Sequence, residues 1–418
     1  MKQPVDAIIH NIGQLVTLEG PPIPRRGVAM QALGIIEDAA VAMRGERIAA
    51  AGPEQDIVAA FEAPASETFD AERGVVLPGF VDPHTHVLFA GSRWHEFELR
   101  CQGRSYQEIA AAGGGIRSSV RAFRAATDET LKIQTRRRLD RMLGLGTTTV
   151  EAKSGYGLDT EQELRALRLI EELDKEHPVD LVPTFLGAHE FPDEYRSDRD
   201  GYVRLITEEM LPRVVAETKA RFCDVFCEEG VFTAEQSRAI LQTAHRLGLG
   251  LKLHADEFAP VGGSELAAEL GAISADHLLE ATEHGLLALQ RGGVTAVLLP
   301  VTSFSLGKGR YAAARTMIQM EIPVALATDC NPGSSMTESV PLVLSMACLE
   351  LGLSPAEALT AATVNAAHAI GLAGDRGRVA PGLRADLQVL DAPSYVSLAY
   401  HLGVSHVRWV FKNGRPVH

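Results

Sequence analysis

The feature that most constrains the fold is a regular alternation, over roughly 71–372, between short apolar strand-like runs and longer helical patterns. Such alternation is typical of βα units that build a parallel sheet. We count about eight apolar runs, at 77–84, 147–153, 181–188, 222–227, 251–256, 273–277, 294–300 and 323–329. Helical patterns lie between runs, for example at 161–175, 234–247, 278–291 and 311–320. Eight such units predict an α/β fold, a closed (β/α)8 barrel of the TIM type.

Both ends of the chain differ from this middle. Residues 1–70 hold short β-like runs with a turn at 44–47, and residues 373–418 hold further runs and the turn pair Asn413-Gly414. An Asn-Gly pair between apolar runs is a strong hairpin signal. We therefore predict two domains, a small discontinuous β-sandwich-like domain from 1–70 and 373–418, and a barrel domain from 71–372. A chain of 418 residues is long enough for both.

Chemically capable side chains stand at the ends of the predicted strands. His84 and His86 end the first run, His254 is late in the fifth, and Asp329 ends the eighth. Residues two apart in a strand project to the same face, and the active site of a barrel lies at the carboxyl ends of its strands. Three imidazoles and a carboxylate suit Zn²⁺ and are compatible with Fe²⁺ or Mn²⁺. We therefore predict one divalent metal ion, which would lower the pKa of a water molecule from about 15.7 towards 7.

Each of these residues also has a plainer interpretation. A His-X-His pair by itself is more often a surface or core pair, and Asp329 precedes Asn331-Pro332-Gly333 and could be a turn or capping residue. It is the combination at the strand ends that favours a metal site.

Two further residues are candidate catalytic groups. Glu257 follows His254 by three positions, so it could take a proton from water and give it to a leaving nitrogen. It could instead be an acid in a first helical turn, favoured by the helix dipole. His277 ends the sixth run and could orient the water or polarise the attacked carbonyl, or could be a buried histidine with satisfied hydrogen bonds.

Lys153 ends the second run. Barrel hydrolases with two metals often bridge them with a carboxylated lysine at the end of the fourth strand, but the fourth run, 222–227, contains no lysine. We therefore favour a single metal, with Lys153 as a charge behind the ligands or on the substrate side.

Charge and composition exclude several classes of partner. The net charge of -14 and a pI near 5.5 argue against nucleic acid or an anionic membrane surface. The basic run 136–138 is most simply a solvated helix face. Five cysteines form no disulfide framework, the first residues lack the pattern of a signal peptide, and no apolar run approaches roughly 20 residues. We expect a cytoplasmic protein acting on a small molecule.

Several stretches resemble a known family. Residues 78–86, the barrel pattern and the split β domain resemble the amidohydrolase superfamily, and 254–257 with His277 resemble its single-metal branch, which includes cytosine and guanine deaminases. Five further stretches resemble a narrower group of cyclic-amide hydrolases. In chain order they are residues 89–93, 113–116, 151–158, 185–189 and 329–334. The resemblance spans essentially the whole chain. It implies hydrolysis of the ring amide of 4-imidazolone-5-propanoate to N-formimidoyl-L-glutamate, in histidine degradation, by a homodimer that binds Zn²⁺ or Fe²⁺.

The resemblance also assigns roles to individual residues. It places the metal on His84, His86, His254 and Asp329, the substrate on Arg93, Tyr156, His189 and Glu257, and the product on a turn formed by Asn331, Gly333 and Ser334. Arg93 suits the propionate tail because a guanidinium pairs bidentately with a carboxylate. Backbone N–H groups around Gly333 and Ser334 could add donors, as turn nests do for anions. Without the resemblance, Arg93 reads equally well as a surface ion-pair partner and Tyr156 as a packed core aromatic.

Two other functions use the same residues differently. A purine or pyrimidine aminohydrolase of the same branch, similar to guanine or cytosine deaminase, would share every metal ligand but would have no need of Arg93. A catalytically inactive barrel serving as an assembly scaffold is the second alternative. The presence of all four predicted ligands and Glu257 argues against it.

Overall fold

The structure, a computed structural model, describes residues 1–104, 108–109 and 113–418. Its strands are β1 (Gln3–Pro4), β2 (Ala7–Val16), β3 (Ile35–Arg44), β4 (Arg47–Pro53), β5 (Phe61–Glu62), β6 (Thr68–Asp70), β7 (Val75–Pro78), β8 (Phe80–Thr85), β9 (Thr147–Lys153), β10 (Asp180–Ala188), β11 (Phe222–Cys227), β12 (Gly250–Ala255), β13 (Ser274–His277), β14 (Thr295–Leu298), β15 (Val324–Leu326), β16 (Leu387–Leu390), β17 (Val407–Lys412) and β18 (Arg415–Pro416).

The α-helices span Glu54–Ala60, Trp94–Cys101, Ile116–Ala125, Asp128–Gly144, Thr160–Glu176, Arg199–Arg204, Leu211–Glu217, Ala234–Arg246, Gly263–Leu270, Glu283–Gly292, Pro300–Ser305, Ala314–Gln319, Val340–Glu350, Pro355–Ala361, Val364–Ala369 and Ser397–Tyr400. Short 3₁₀ turns span Gly27–Gln31, Ala65–Glu67 and Asp193–Tyr195, and Leu205–Met210 is a π-helical segment. Among the described residues, no helix is both long and apolar enough to cross a membrane.

The predicted barrel is confirmed. Strands β8 to β15 pair in chain order, each parallel to the next. The last strand returns to the first just beyond β15, where the His86 N–H donates to the Cys330 carbonyl (3.0 Å) and the Asp329 N–H to the His84 carbonyl (3.1 Å). Closure therefore brings residues 84–86 against residues 329–330, although almost 250 positions separate them in the chain.

The barrel strands read as continuous apolar runs because both of their faces are covered. Every residue of β8, β9 and β11 is buried. Strands of a parallel sheet pack side chains into the barrel on one face and against helices on the other. Several covering helices begin at clear capping residues, such as Asp159 before Thr160–Glu176 and the Thr233–Gln236 capping box before Ala234–Arg246.

The two chain ends share a second sheet, with the strand order β18-β17-β16-β7-β2-β3-β4 and β6 beside β2. Asn413 and Gly414, both with positive φ, form the predicted turn between β17 and β18. The first predicted run is divided at Gly79: β7 belongs to this sheet and β8 to the barrel. A Cβ at Gly79 would lie 2.3 Å from the Thr148 side chain, so the division point favours glycine. Domain boundaries at 70 and 372 stay a prediction.

Two predicted helices are shorter than expected. The pattern at 278–291 begins as a helix only at Glu283, because Leu278 has a φ of 60° and Thr282 caps the helix by accepting from the Gly285 N–H (3.0 Å). The pattern at 311–320 forms a helix only over Ala314–Gln319.

Arg138 is a further correction, because it is buried rather than solvated. Its Nη1 donates to the carbonyls of Val87 and Phe89, both at 3.0 Å, and its guanidinium lies 3.3 Å from the centre of the Phe89 ring. Consecutive residues of a helix point about 100° apart, so a run of three cannot face solvent together. Arg138 instead supports the segment that follows the two histidines.

Candidate metal centre and binding cavity

The four side chains predicted to hold a metal lie together at the carboxyl end of the barrel. Asp329 Oδ1 is 3.6 Å from Nε2 of His84 and 3.6 Å from Nε2 of His86. His254 Nε2 is 3.3 Å from His86 Nε2. All four side chains are buried. Donor atoms from the first, fifth and eighth barrel strands thus converge on one point, as the strand-end pattern predicts.

The arrangement fits a divalent ion. Nδ1 of His84 donates to Asp276 Oδ2 (2.5 Å) and Nδ1 of His254 to Asp224 Oδ1 (3.1 Å), so each Nε2 carries its lone pair towards the centre. Among the described residues, His84 Nε2 has no hydrogen-bond partner. Burial and the neighbouring cations hold the pKa of His84 and His86 well below the usual range, so both rings are neutral. Neutral imidazoles oriented by carboxylates are typical metal ligands.

His277 extends the donor set. The described residues form two groups whose donor atoms lie within 4.8 Å of one another, His84 with His254 and His277, and His84 with His86 and Asp329. Neither ring nitrogen of His277 has a hydrogen-bond partner among the described residues. The interpretation of His277 as a satisfied core histidine is therefore wrong. Its Nδ1 lies 3.7 Å from Glu257 Oε2, which places it between the metal donors and the predicted acid/base.

Left-handed backbone geometry marks three of these strand ends. Asp256, His277 and Asp329 have φ values of 50°, 79° and 53°. A non-glycine residue in this region costs of order 1–3 kcal/mol and is kept where the surroundings enforce it. Asp256 shows how, since its carboxylate accepts from the N–H groups of Val261, Gly263 and Ser264. The bends at His277 and Asp329 thus lie at residues whose side chains reach the centre, whereas the bend at Asp256 is held by its own carboxylate.

Glu257 is buried beside His277, and burial raises the pKa of its carboxyl to about 8. At neutral pH a carboxyl with that pKa is mostly protonated but has an ionised fraction, so it can give or take a proton. Its backbone is fixed independently of the side chain, because the Glu257 N–H donates to Glu228 Oε2 (3.0 Å) and Lys308 Nζ donates to the Glu257 carbonyl (3.0 Å). The backbone of Glu257 is therefore held in place beside the centre.

A cavity opens at this centre. It is lined by His86, Arg93, Ile116, Tyr156, His189, Phe226, His254, Glu257, Phe258, His277, Asp329, Asn331 and Ser334. The predicted substrate and product residues thus meet in one place, except Gly333, which does not line the cavity and instead packs behind Arg93. A Cβ on Gly333 would lie 2.1 Å from Arg93 Nη1, so its bare backbone permits the guanidinium to lie there.

Arg93 is buried, so its interpretation as a surface ion-pair partner is wrong. Its Nε and Nη2 donate to Glu96 Oε2 at 2.9 and 2.7 Å. Glu96 Oε1 in turn accepts from the Gly115 N–H (3.1 Å), which ties the glycine-rich stretch 113–115 to the arginine. A buried guanidinium held by a buried carboxylate is a rigid anion-recognition group.

His189 stacks on His86, with ring centres 4.8 Å apart and planes 16° apart. Its Nδ1 donates to the Gly155 carbonyl (2.9 Å), and burial lowers its pKa to about 3, so the ring is neutral and Nε2 is an acceptor. Tyr156 lies beside it with ring centres 5.4 Å apart. Glu163 holds this loop by accepting from the N–H groups of Gly157 (2.8 Å) and Leu158 (2.9 Å).

The expected anion nest at Gly333 and Ser334 is wrong. Asn331 Oδ1 accepts from both of their N–H groups, each at 2.8 Å, so these donors are already used within the turn. An asparagine two positions before a glycine favours such an Asx turn, and this signal was present in the sequence. Asn331 and the Ser334 hydroxyl still line the cavity.

Lys153 lies behind the predicted metal ligands and does not line the cavity. It is fully buried, and its Nζ donates to Glu151 Oε1 (2.8 Å) and Asp224 Oδ2 (2.6 Å).

Sequence reasoning missed the carboxylates that support the site. Glu96, Glu163 and Glu228 accept from backbone N–H groups of site loops, and Asp224 and Asp276 accept from the imidazoles of two predicted metal ligands. Asp224 carried a usable signal, because it is an acid within an otherwise apolar strand.

Comparison with known proteins agrees with this description. Residues 75–417 match the family model described as Amidohydrolase family. The chain is 50% identical over 412 residues to an imidazolonepropionase of Geobacillus kaustophilus, covering 98% of this chain and 97% of that protein. It is 51% identical to an imidazolonepropionase of Solibacter usitatus, covering 99% of each. Among solved structures, guanine deaminase of E. coli matches with a TM-score of 0.74 at 16% identity, over 99% of this chain and 98% of that one, and so shares the fold.

Proposed function

The chain belongs to the amidohydrolase family and, within it, to the imidazolonepropionases, and we propose that it hydrolyses the ring amide of 4-imidazolone-5-propanoate to N-formimidoyl-L-glutamate in histidine degradation. One observation carries the proposal: a metal donor set and a buried, carboxylate-braced guanidinium, Arg93, open into the same cavity. The first suits hydrolysis of an amide, and the second suits a substrate with an anionic tail.

Substrate binding follows from the donors and acceptors that line the cavity. We propose that Arg93 pairs with the propionate carboxylate through charge-assisted hydrogen bonds. His189 Nε2, an acceptor in the neutral ring, faces the cavity and would receive a ring N–H. Tyr156 and the Asn331–Ser334 turn would complete the contacts. Phe226 and Phe258, which also line the cavity, would exclude water from around the ring.

The metal donors are assigned by their convergence. We propose that His84, His86, His254 and Asp329 hold one divalent ion, Zn²⁺ or Fe²⁺, which is supported by the unpartnered Nε2 of His84 and the neutral state of the imidazoles. When bound, the ion supplies Lewis-acid chemistry that makes water a nucleophile at neutral pH. His277, adjacent to the same donors, would orient the water or polarise the carbonyl.

Glu257 is the proposed general acid/base. Its carboxylate would take a proton from the attacking water, and the carboxyl would give it to the ring nitrogen as the C–N bond breaks. The oxygen of the water would remain in the new carboxylate of the product. The burial that raises the pKa of Glu257 to about 8 supports the proton-donating half of this role.

Compartment and assembly belong to the proposal as well. We propose a cytoplasmic homodimer, and the five free cysteines are consistent with a reducing compartment. Light scattering of the purified protein would decide its oligomeric state.

The function is tested by supplying the metal-loaded protein with 4-imidazolone-5-propanoate, guanine and cytosine in separate reactions. We expect N-formimidoyl-L-glutamate, identified by mass spectrometry, and no ammonia from either base. Ammonia release from a base without turnover of the propanoate would instead establish the aminohydrolase alternative.

A further inference from the structure

A buried ion network lies beneath the metal centre. Lys153 Nζ donates to Asp224 Oδ2 at 2.6 Å and to Glu151 Oε1 at 2.8 Å, and it lies 3.9 Å from Asp276 Oδ2. All of these side chains are fully buried. None of them lines the cavity, so the network takes no direct part in binding or proton transfer.

Asp224 connects this network to a ligand. While Oδ2 accepts from Lys153, Oδ1 accepts from His254 twice, from the ring Nδ1 and from the backbone N–H, both at 3.1 Å. The carboxylate is therefore held by Lys153 on one side and contacts the His254 ring with the other. The ring points its Nε2 towards His86, at 3.3 Å.

We propose that Lys153 is a positioning residue for the metal centre, acting through Asp224 to orient His254. This inference rests on the proposed function, because it needs the metal site assigned there. Carboxylates that orient a ligand histidine typically change metal affinity by 10–100-fold when they are mutated. The lysine that fixes such a carboxylate should have an effect of similar size.

The network offers a matched control. The Glu151 carboxylate accepts from the same Lys153 Nζ, at 2.8 Å against 2.6 Å for Asp224, and is equally buried. Among the described contacts, however, it does not touch a histidine of the proposed metal site. Glu151→Gln therefore disturbs the same buried ion pair without touching the connection to His254. A merely structural role for Lys153 would make Lys153→Met and Glu151→Gln alike in metal affinity.

The experiment measures Zn²⁺ affinity of the metal-free protein by competition with a chromophoric chelator, and the visible spectrum after loading with Co²⁺. We expect Lys153→Met to weaken Zn²⁺ binding by about 10–100-fold and to alter the Co²⁺ bands, and Glu151→Gln to change affinity by less than about threefold. Asp224→Asn should weaken binding as much as Lys153→Met. The double variant Lys153→Met/Asp224→Asn should bind Zn²⁺ less than about threefold more weakly than Asp224→Asn alone, because the lysine acts through the aspartate.

Wild-type affinity in Lys153→Met, or full additivity in the double variant, would overturn the inference. If Lys153→Met does not fold, Lys153→Met/Glu151→Gln removes one of the carboxylates left without a cation, and the same loss of affinity is expected of it. A wild-type protein that binds neither Zn²⁺ nor Fe²⁺ would overturn the proposed function together with this inference. Normal wild-type binding that Lys153→Met leaves unchanged would overturn the inference alone.

Discussion

Nδ1 of His84 lies 2.5 Å from Oδ2 of Asp276, a carboxylate that reaches it from the opposite side of the barrel. Both side chains are fully buried. The contact uses one ring nitrogen and leaves the other, Nε2, aimed at Asp329. The barrel interior thus pairs strand-end histidines with carboxylates from other strands, which fixes the orientation of their rings.

The first prediction concerns this pair. Asp276→Asn should keep the fold, since the amide is isosteric, but should weaken Zn²⁺ binding by about 10–100-fold because His84 loses its charged partner. Chelator competition measures the effect. Asp38→Asn, at an exposed site in the terminal sheet, is the control and should bind Zn²⁺ like the wild type. Equal affinities for Asp276→Asn and the control would remove the orienting role of Asp276.

Glu257→Gln should retain the metal and lose turnover by a factor of about 10² to 10⁴, because the amide can neither take nor give the proton. The backbone of residue 257 is held by Glu228 and Lys308, so the loop should keep its position in the variant. Steady-state kcat is measured with metal content determined on the same sample. The exposed Glu229 provides the control variant Glu229→Gln. An undiminished kcat in Glu257→Gln would exclude Glu257 as the acid/base.

Arg93 should determine recognition of the carboxylate tail. Arg93→Met combined with Glu96→Gln, which avoids leaving a buried carboxylate unpaired, should raise KM by about 10–100-fold, as expected for loss of hydrogen bonds to a charged group. Glu96→Gln alone should raise KM less, because the guanidinium remains. If the double variant keeps the wild-type KM, the tail is bound elsewhere.

Gly333→Ala tests the same clamp without touching the arginine. The new Cβ would lie 2.1 Å from Arg93 Nη1, so the guanidinium must shift and KM should rise. Gly374→Ala is the matched control, because a Cβ there meets nothing within 4 Å. Thermal unfolding of both variants separates a displaced clamp from a general loss of stability. An unchanged KM in Gly333→Ala would contradict the proposal that the position of the Arg93 guanidinium determines substrate binding.

A prediction on pH dependence concerns the scaffold. Hydrogen bonds from Arg315 lower the pKa of Glu357 from 4.5 to about 2. A carboxylate with a depressed pKa in the folded state stabilises it above pH 4.5, and this contribution is lost as pH falls towards 2. Between those values the free energy of unfolding should fall more steeply for the wild type than for Glu357→Gln, measured by urea denaturation. Parallel curves for the two proteins would contradict this, and Glu350→Gln, at an exposed position, should follow the wild type.

Much of the centre could be predicted because two simple rules act together. Alternation along a strand puts His84 and His86 on one face, and the barrel brings strand ends together, so His254 and Asp329 join them. Neither rule depends on fine detail of packing. The barrel and the sheet shared by both termini followed in the same way from the order of apolar and helical patterns.

The sequence does not in general predict which hydrogen-bond partners the polar side chains find. One case carried a signal, since Asn331 two positions before Gly333 favours the Asx turn that removes the donors expected there. Arg138 turns inward to two carbonyls although its neighbours in the basic run do not. Such choices depend on which carbonyl or N–H the fold leaves unpaired nearby, and that is set by tertiary contacts far away in the chain.

The most direct test is a metal titration of turnover. Metal-free protein is given 4-imidazolone-5-propanoate while Zn²⁺ or Fe²⁺ is added in substoichiometric steps, and ring opening is followed at each step. We predict no turnover without metal and a linear rise that ends at one ion per chain, with no such rise in a His84→Ala/His86→Ala variant. Full turnover by the metal-free protein, or a rise that continues to two ions per chain, would contradict a single-metal hydrolase at this site.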